Sequence, residues 1–348
     1  MKIAQVAPLI ESVPPKTYGG TERIVSYLTE ELVRQGHQVT LFASADSQTS
    51  AQLIPIVPRA LRLDPSVKDY APYSVLALER LRQYAEAFDV IHFHTDFVHL
   101  PLARALMPQR TLTTMHGRLD LPDYRPLFAE FSDTPLVSIS NQQRQPLADC
   151  NWIGTVYHGL PPSVCKFTSQ PRGDYLAFLG RISPEKRPDR AIEIAARAGM
   201  RLKIAAKVDA ADETYFRSHI EPLLSQPHVE FIGEIDEAQK PEFLGNALAL
   251  LFPIDWPEPF GLVMIEAMSC GTPCIAWRAG SVPEIIDHGI TGFIVDSIED
   301  AVHAVRRAGM LNRTAIRTRF EQRFSAERMA RDYVQIYARL IEERRKAA

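Results

Sequence analysis

Two carboxylates stand in one short stretch, Trp256-Pro257-Glu258-Pro259-Phe260-Gly261-Leu262-Val263-Met264-Ile265-Glu266-Ala267-Met268, with seven residues between Glu258 and Glu266. Pro257 and Pro259 keep the approach non-helical, so a helix is expected to open near Phe260 or Gly261, where the proline constraint ends. The first amides of that helix, around Gly261, Leu262 and Val263, lack intrahelical acceptors and suit an anion or a sugar hydroxyl. Glu266 falls in a helix that is apolar almost all round. A carboxylate placed there needs donors, and a ribose diol offers two; capping of a neighbouring loop is the plainer alternative. Glu258, just ahead of a helix N-terminus, is favoured by the helix dipole whether or not it meets a ligand.

Cationic and imidazole groups recur at strand ends. Gly180-Arg181-Ile182-Ser183-Pro184-Glu185-Lys186 places Arg181 and Lys186 just past a predicted strand. Fixed cations there would suit an anionic group and stabilise negative charge that develops on it. A local Glu185 to Lys186 pairing in a solvated loop is the alternative, and would contribute little. Tyr18-Gly19-Gly20-Thr21-Glu22 lies between the first strand and the first helix, where glycines permit a tight turn and let helix amides approach a phosphate. No G-x-G-x-x-G occurs, which argues against a dinucleotide cofactor. His116 follows the strand expected at Arg110 to Met115, at the carboxyl edge where parallel sheets bind ligands. His92 and His94 alternate on one strand face with His99 nearby, but Asp96 lies on a loop and no fourth ligand is evident. His92 and His99 are therefore expected to be structural, and no metal site is expected.

The elements that must hold these groups follow from an alternation of short β-branched runs and amphipathic segments, the pattern of βαβ units. Strands are expected at Lys2 to Ala7, Gln38 to Ala43, Val90 to His94, Arg110 to Met115, Leu136 to Ser140 and Gly154 to Tyr157. A helix over Thr21 to Gln35, capped by Thr21 and closed by Gly36, repeats Ile24, Leu28 and Leu32 on one face. Pro161, Pro162, Pro171 and Gly173 mark a break, after which a second set begins: Tyr175 to Leu179, Arg201 to Ala206, Val229 to Ile232, Ala247 to Pro253, Pro273 to Trp277 and Gly292 to Val295. A final helix carries Met329, Tyr333, Ile336, Tyr337 and Leu340 on one stripe, with Ser325 as its cap. The reading is an α/β chain of two doubly wound domains, 1–160 and 175–324, joined by a linker at 161–174 and followed by the helix at 325–348.

Composition excludes several classes. Across 348 residues, 39 basic side chains against 42 acidic ones leave no basic excess for nucleic acid. Apolar runs such as Ala247 to Pro253 fall far short of the roughly 20 residues that span a bilayer, and the Met1 to Pro8 start is too short for a signal peptide. A cytoplasmic protein is expected. Cys150, Cys165, Cys270 and Cys274 form no closely spaced pair and are expected as reduced thiols.

The stretch from Glu258 to Glu266 closely resembles the signature of the family 4 retaining glycosyltransferases of the GT-B fold. Gly271-Thr272-Pro273-Cys274-Ile275-Ala276, Gly280-Ser281-Val282-Pro283-Glu284-Ile285-Ile286 and Gly289-Ile290-Thr291-Gly292-Phe293-Ile294-Val295 continue the likeness. The resemblance implies two Rossmann-like domains facing a cleft, with the final helix crossing back to the first. It implies that Glu258 contacts hydroxyls of the donor sugar, Glu266 the nucleotide ribose, and Arg181 and Lys186 the diphosphate. Gly19 and Gly20 would face the donor phosphate, and Phe260, Gly261 and Leu262 belong to the same donor site. Lys207 and Ile235 would border the nucleobase, in a region that departs from the commoner Gly-rich form. His116 would lie near the transferred sugar and His94 on the acceptor side. Tyr157-His158-Gly159 replaces the usual Pro-Asn-Gly, which leaves the role of His158 open.

The chain contains no D-x-D triplet, which fits a metal-independent reaction needing no cofactor, with Arg181, Lys186 and helix amides as the charge clamp. The expected donor is a UDP-sugar, with GDP as the alternative carrier, and the acceptor a small molecule, an oligosaccharide or a lipid-linked group. A phosphorylase or epimerase on the same fold, or a non-catalytic nucleotide-sugar binder, are the competing readings. Phosphorolysis would need a cofactor lysine that the sequence does not reveal. Arg59, Arg62, Lys68, Arg80 and Arg82 form no clear amphipathic basic face, so a soluble acceptor is expected over a membrane-bound one.

Overall fold

The computed structural model describes residues 1–16, 19–107 and 109–347, which fall into two compact units. The first comprises Met1–Gly159 with Ala326–Ala348, the second Leu160–Ser325.

The first unit is built on a seven-stranded sheet of β1 (Lys2–Val6), β2 (Gln38–Ser44), β3 (Gln52–Val57), β4 (Val90–Phe93), β5 (Thr111–Thr114), β6 (Leu136–Ser138) and β7 (Trp152–Thr155). Its order is β3-β2-β1-β4-β5-β6-β7, and every pairing is parallel. The short central strands are buried on both faces, as parallel sheets require. β3 was not expected from the sequence because Pro55 interrupts its run. It sits at the sheet edge, where a missing N–H costs little. The first helix spans Gly20–Arg34, one residue earlier than expected at each end; Gly19 takes the N-cap position with φ +152°, and Thr21 lies inside the helix rather than capping it. The last helix, Ala326–Ala347, lies with this unit, and its stripe of Met329, Tyr333, Ile336, Tyr337 and Leu340 is buried.

The second unit carries β8 (Tyr175–Arg181), β9 (Arg201–Lys207), β10 (Val229–Gly233), β11 (Ala249–Phe252), β12 (Cys274–Trp277) and β13 (Gly292–Val295). Their order is β10-β9-β8-β11-β12-β13, again all parallel. Leu176, Phe178, Ile204, Leu251 and Phe293 form its core with Ile192, Ile194 and Val305 from the covering helices. Residues 161–174, expected as a linker, are held by this unit: the Thr168 amide donates to the Cys270 carbonyl at 3.1 Å, and the Arg313 guanidinium donates to the Thr168 carbonyl at 2.8 Å. In each sheet the strand order reverses once, between β1 and β4 and between β8 and β11. Those two reversals are where doubly wound sheets open a crevice for ligands.

Candidate active site

In the second unit the exits of β8 and β11, which flank the reversal, bring Lys186 and Glu258 together. β8 runs on to Arg181, so this guanidinium stands at a strand end rather than in a loop. The Asp255 amide, past β11, donates to the Glu185 carbonyl at 2.8 Å and ties the two exits together. The Lys186 ammonium contacts the Glu258 carboxylate directly, joining segments 72 residues apart. Trp256 Nε1–H donates to the same Oε2 at 2.9 Å. The ammonium also lies 5.0 Å from the Trp256 ring centre and 5.6 Å from that of Phe252, within cation–π reach. Glu258 is only 9% exposed, so its charge depends on these partners.

The backbone of Glu258 is pinned from the next strand's exit. Ser281 N donates to the Glu258 carbonyl at 3.0 Å, and Gly280 adopts φ +52° against it; a Cβ on Gly280 would fall 2.3 Å from both the nitrogen and the oxygen of Glu258. Ser281 Oγ donates to the Phe260 carbonyl at 2.7 Å. Gly261, at φ +80°, is the N-cap of a helix that spans Leu262–Ser269. The Met264 amide already donates to the Gly261 carbonyl, which leaves the amides of Leu262 and Val263 as those without an intrahelical acceptor. Phe260 is held by its side chain. Its ring is buried edge-on against Phe324, 6.3 Å between centres, and packs the core.

Glu266 is buried as its apolar helix demanded, and it has a protein donor that sequence reasoning missed. Lys240 Nζ donates to Glu266 Oε1 at 2.8 Å and also contacts Glu237 at 2.5 Å. Burial pulls the Lys240 pKa down, but the two carboxylates outweigh it and hold the ammonium charged well above the usual lysine range. A Glu-x-x-Lys spacing at Glu237 and Lys240 was readable; that the same ammonium reaches residue 266 was not.

The alternative reading, a local pairing of Glu185 with Lys186, does not hold. Glu185 instead accepts from Arg181 Nη2 at 2.5 Å, and Arg181 lies 3.4 Å from Asp212 and 3.8 Å from Asp209. Asp209 in turn pairs with Lys207 Nζ at 2.9 Å, so Lys207 joins the Arg181 cluster. Burial raises the Asp212 pKa, against the opposing pull of Arg181. Ile235 is half-buried in the loop after β10.

The first unit gathers its own residues around β1, β4 and β5. Gly19 packs so closely that a Cβ would lie 2.8 Å from Pro15, and its carbonyl accepts from the Arg23 amide at 3.1 Å, which starts the helix at Gly20. Tyr18 of this motif lies outside the described residues. His116 Nε2 meets His94 Nδ1 at 2.8 Å, and its ring stacks on His158 with 5.3 Å between centres. This gives His158, left open by the sequence, a packing role. His94 was expected to line an acceptor site, yet it is buried with both ring nitrogens engaged, the second by Gln5 Oε1 at 2.7 Å. Its contacts are with His116 and Gln5 instead. His92 bonds Tyr337 and Thr114, and His99 bonds Thr113, as buried structural histidines do. Burial lowers the pKa of every histidine in this group, that of His116 to about 3, so the rings are neutral.

The family model described as "Glycosyl transferases group 1" matches residues 166–323, and the one described as "Glycosyltransferase Family 4" matches residues 18–149. The chain belongs to the family 4 glycosyltransferases of the GT-B fold. It is 26% identical over 321 residues to the N-acetyl-alpha-D-glucosaminyl L-malate synthase of Bacillus anthracis, covering 80% of this chain and 81% of that protein. The sucrose-phosphate synthase structure from Thermosynechococcus elongatus superposes on this glycosyltransferase with a TM-score of 0.79 at 19% identity, covering 99% and 100% of the two chains. Anabaena HepE in complex with UDP and glucose matches with a TM-score of 0.74 at 16% identity, covering 97% and 99%. The GT-B fold assigned from the sequence thus stands.

Proposed function

We propose that this glycosyltransferase moves a sugar from a UDP-sugar to an acceptor hydroxyl with retention at the anomeric carbon and without a metal ion. The observation that carries the reading is the Lys186–Glu258 contact, backed by the indole of Trp256, at the reversal of the second sheet. An ammonium from the β8 exit against a carboxylate from the β11 exit offers both charges that a diphosphate-linked sugar needs. Lys186 and Arg181 meet the phosphates, Glu258 meets sugar hydroxyls, and Leu262 and Val263 amides add donors. Glu266, hydrogen-bonded by Lys240, takes the ribose hydroxyls. The choice of uridine follows the structural neighbour HepE, which was solved with UDP and glucose, over the starch synthase IV neighbour solved with ADP.

In the reaction the bond from the anomeric carbon to the phosphate oxygen breaks while the acceptor oxygen bonds to that carbon from the same face. The acceptor proton passes to the departing phosphate oxygen, and the nucleoside diphosphate leaves. The transition state is oxocarbenium-like, so positioning and charge stabilisation dominate. No nucleophilic carboxylate is required on the opposite face, as a double displacement would demand. The acceptor we favour is soluble; among the described residues no helix is long and apolar enough to cross a membrane.

The test is to incubate the full chain with a panel of nucleotide-sugars and acceptors and read the product's anomeric coupling by NMR. Retained configuration supports the mechanism; inverted configuration overturns it. Release of a sugar phosphate, or tight nucleoside diphosphate binding without any transfer, would favour the phosphorylase or the binding-protein reading.

A further inference from the structure

Buried polar side chains from β1, β4, β5 and the last helix form one hydrogen-bonded line in the first unit. Gln5 on β1 and His92 on β4 are register partners, so they share a face of the sheet, and the last helix lays Tyr333 and Tyr337 onto it. Gln5 Nε2 donates to the Tyr337 hydroxyl at 3.1 Å, which turns Gln5 Oε1 to His94 Nε2 at 2.7 Å. A carbonyl oxygen only accepts, so the His94 proton is on Nε2. Its Nδ1 must then accept, and the donor is His116 Nε2–H at 2.8 Å. With that proton assigned, a neutral His116 has a bare Nδ1. This atom is shielded from solvent and has no partner among the described residues. The Tyr337 hydroxyl sends its own proton to His92 Nδ1 at 2.8 Å, and His92 Nε2–H continues to Thr114 at 2.7 Å.

We propose that Tyr337 and Gln5 are positioning residues that set the tautomer of His116, leaving its Nδ1 lone pair to accept from a hydroxyl of the bound sugar or acceptor. A buried acceptor without a partner is costly, and a hydroxyl removes that cost. A carbonyl or phosphate oxygen would instead set one lone pair against another. The network thereby selects the kind of group that docks at His116, and the last helix takes part in that selection without touching substrate. Burial keeps His94 and His116 neutral, which is what allows one proton assignment to dictate the next. The identity of the ligand rests on the transferase reading; the tautomer does not.

The test uses the full chain labelled with nitrogen-15 in histidine, with two-bond proton–nitrogen correlations to separate protonated from bare ring nitrogens, and His116→Gln to assign the signals. The expected wild-type spectrum has His116 protonated on Nε2 and bare on Nδ1. Tyr337→Phe keeps the ring but frees the Gln5 amide to turn, so protonation at Nδ1 should appear. Tyr333→Phe, buried on the same helix, should leave His116 unchanged. A wild-type His116 protonated on Nδ1 overturns the proposal, even if the Tyr337 variant does not fold. So does a folded Tyr337→Phe chain with an unaltered His116, or one in which both tyrosine variants move it equally. Once transfer is measured, Tyr337→Phe should lower kcat by about ten-fold with a smaller change in KM. The spectra require no substrate, so absence of transfer would fault the proposed function and leave this result standing.

Discussion

Glu258 and Lys186 neutralise each other in a nearly buried setting, and removal of either leaves the other charged and unpaired. Lys186→Ala and Glu258→Gln should each reduce turnover by about 100-fold or more, the scale of losing one preorganised electrostatic group; steady-state kinetics of transfer will check this, and near-wild-type kcat in both would remove their assignment. Glu266 is different because its partner is Lys240. Lys240→Met should destabilise the folded chain by about 3–5 kcal/mol in urea unfolding, since it strands a buried carboxylate, and the double substitution with Glu266→Gln should recover part of that loss. A Lys240→Met chain as stable as wild type would show that Glu266 needs no internal counter-charge. The burial of Glu266 was legible in the sequence because an apolar helix frames it, whereas the donor roles of Glu258 and Glu266 came from the family resemblance. Lys240 was not legible, because nothing in a linear spacing reveals which ammonium a fold swings under a helix 26 residues away.

Strand ends and the turns after them were largely legible, since β-branched runs and glycines mark them: β13 falls at the residues expected, Gly292–Val295. The miss was β3, an edge strand whose proline the local pattern treats as a break. The packing of the Phe260 ring was illegible for a related reason, because a motif position says nothing about which way a ring turns once Phe324 is beside it. The glycines allow a sharper test. Gly280 leaves no room for a side chain against the Glu258 backbone, at 2.3 Å, whereas the nearest atom to a Cβ on Gly154 is the mobile Cδ1 of Ile336 at 2.8 Å. Gly280→Ala should therefore shift Glu258 and abolish most transfer, while Gly154→Ala should change the Tm by only a few degrees because a rotamer change of Ile336 relieves it. Thermal melts and activity measured on both variants decide; equal effects would contradict the account.

Across the whole chain, the histidines buried together in the first unit make stability depend on pH. Burial depresses the pKa of His99 and His116 from the ordinary 6.5 to about 3, and those of His92, His94 and His158 well below it. In the unfolded chain these rings take up protons below pH 6.5 that the folded ones refuse, so their contribution is complete above that pH and is lost as pH falls toward 3. The Tm should be level from pH 8 to about 6.5 and fall on acidification below that, and a profile flat down to pH 4 would count against the neutral, tautomer-locked cluster. The two sheets, their order reversals and the buried stripe on the last helix were foreshadowed by the repeated βαβ pattern. The line from Tyr337 to His116 was not, because it joins residues from both ends of the chain.

The most direct check of the donor site is calorimetric titration of UDP, with GDP alongside, into wild type, Lys186→Ala and Glu266→Gln. Saturable binding to wild type that weakens by about ten-fold or more in each variant is the predicted result. Equal affinity in all three proteins, or no binding of either nucleotide to wild type, would contradict it.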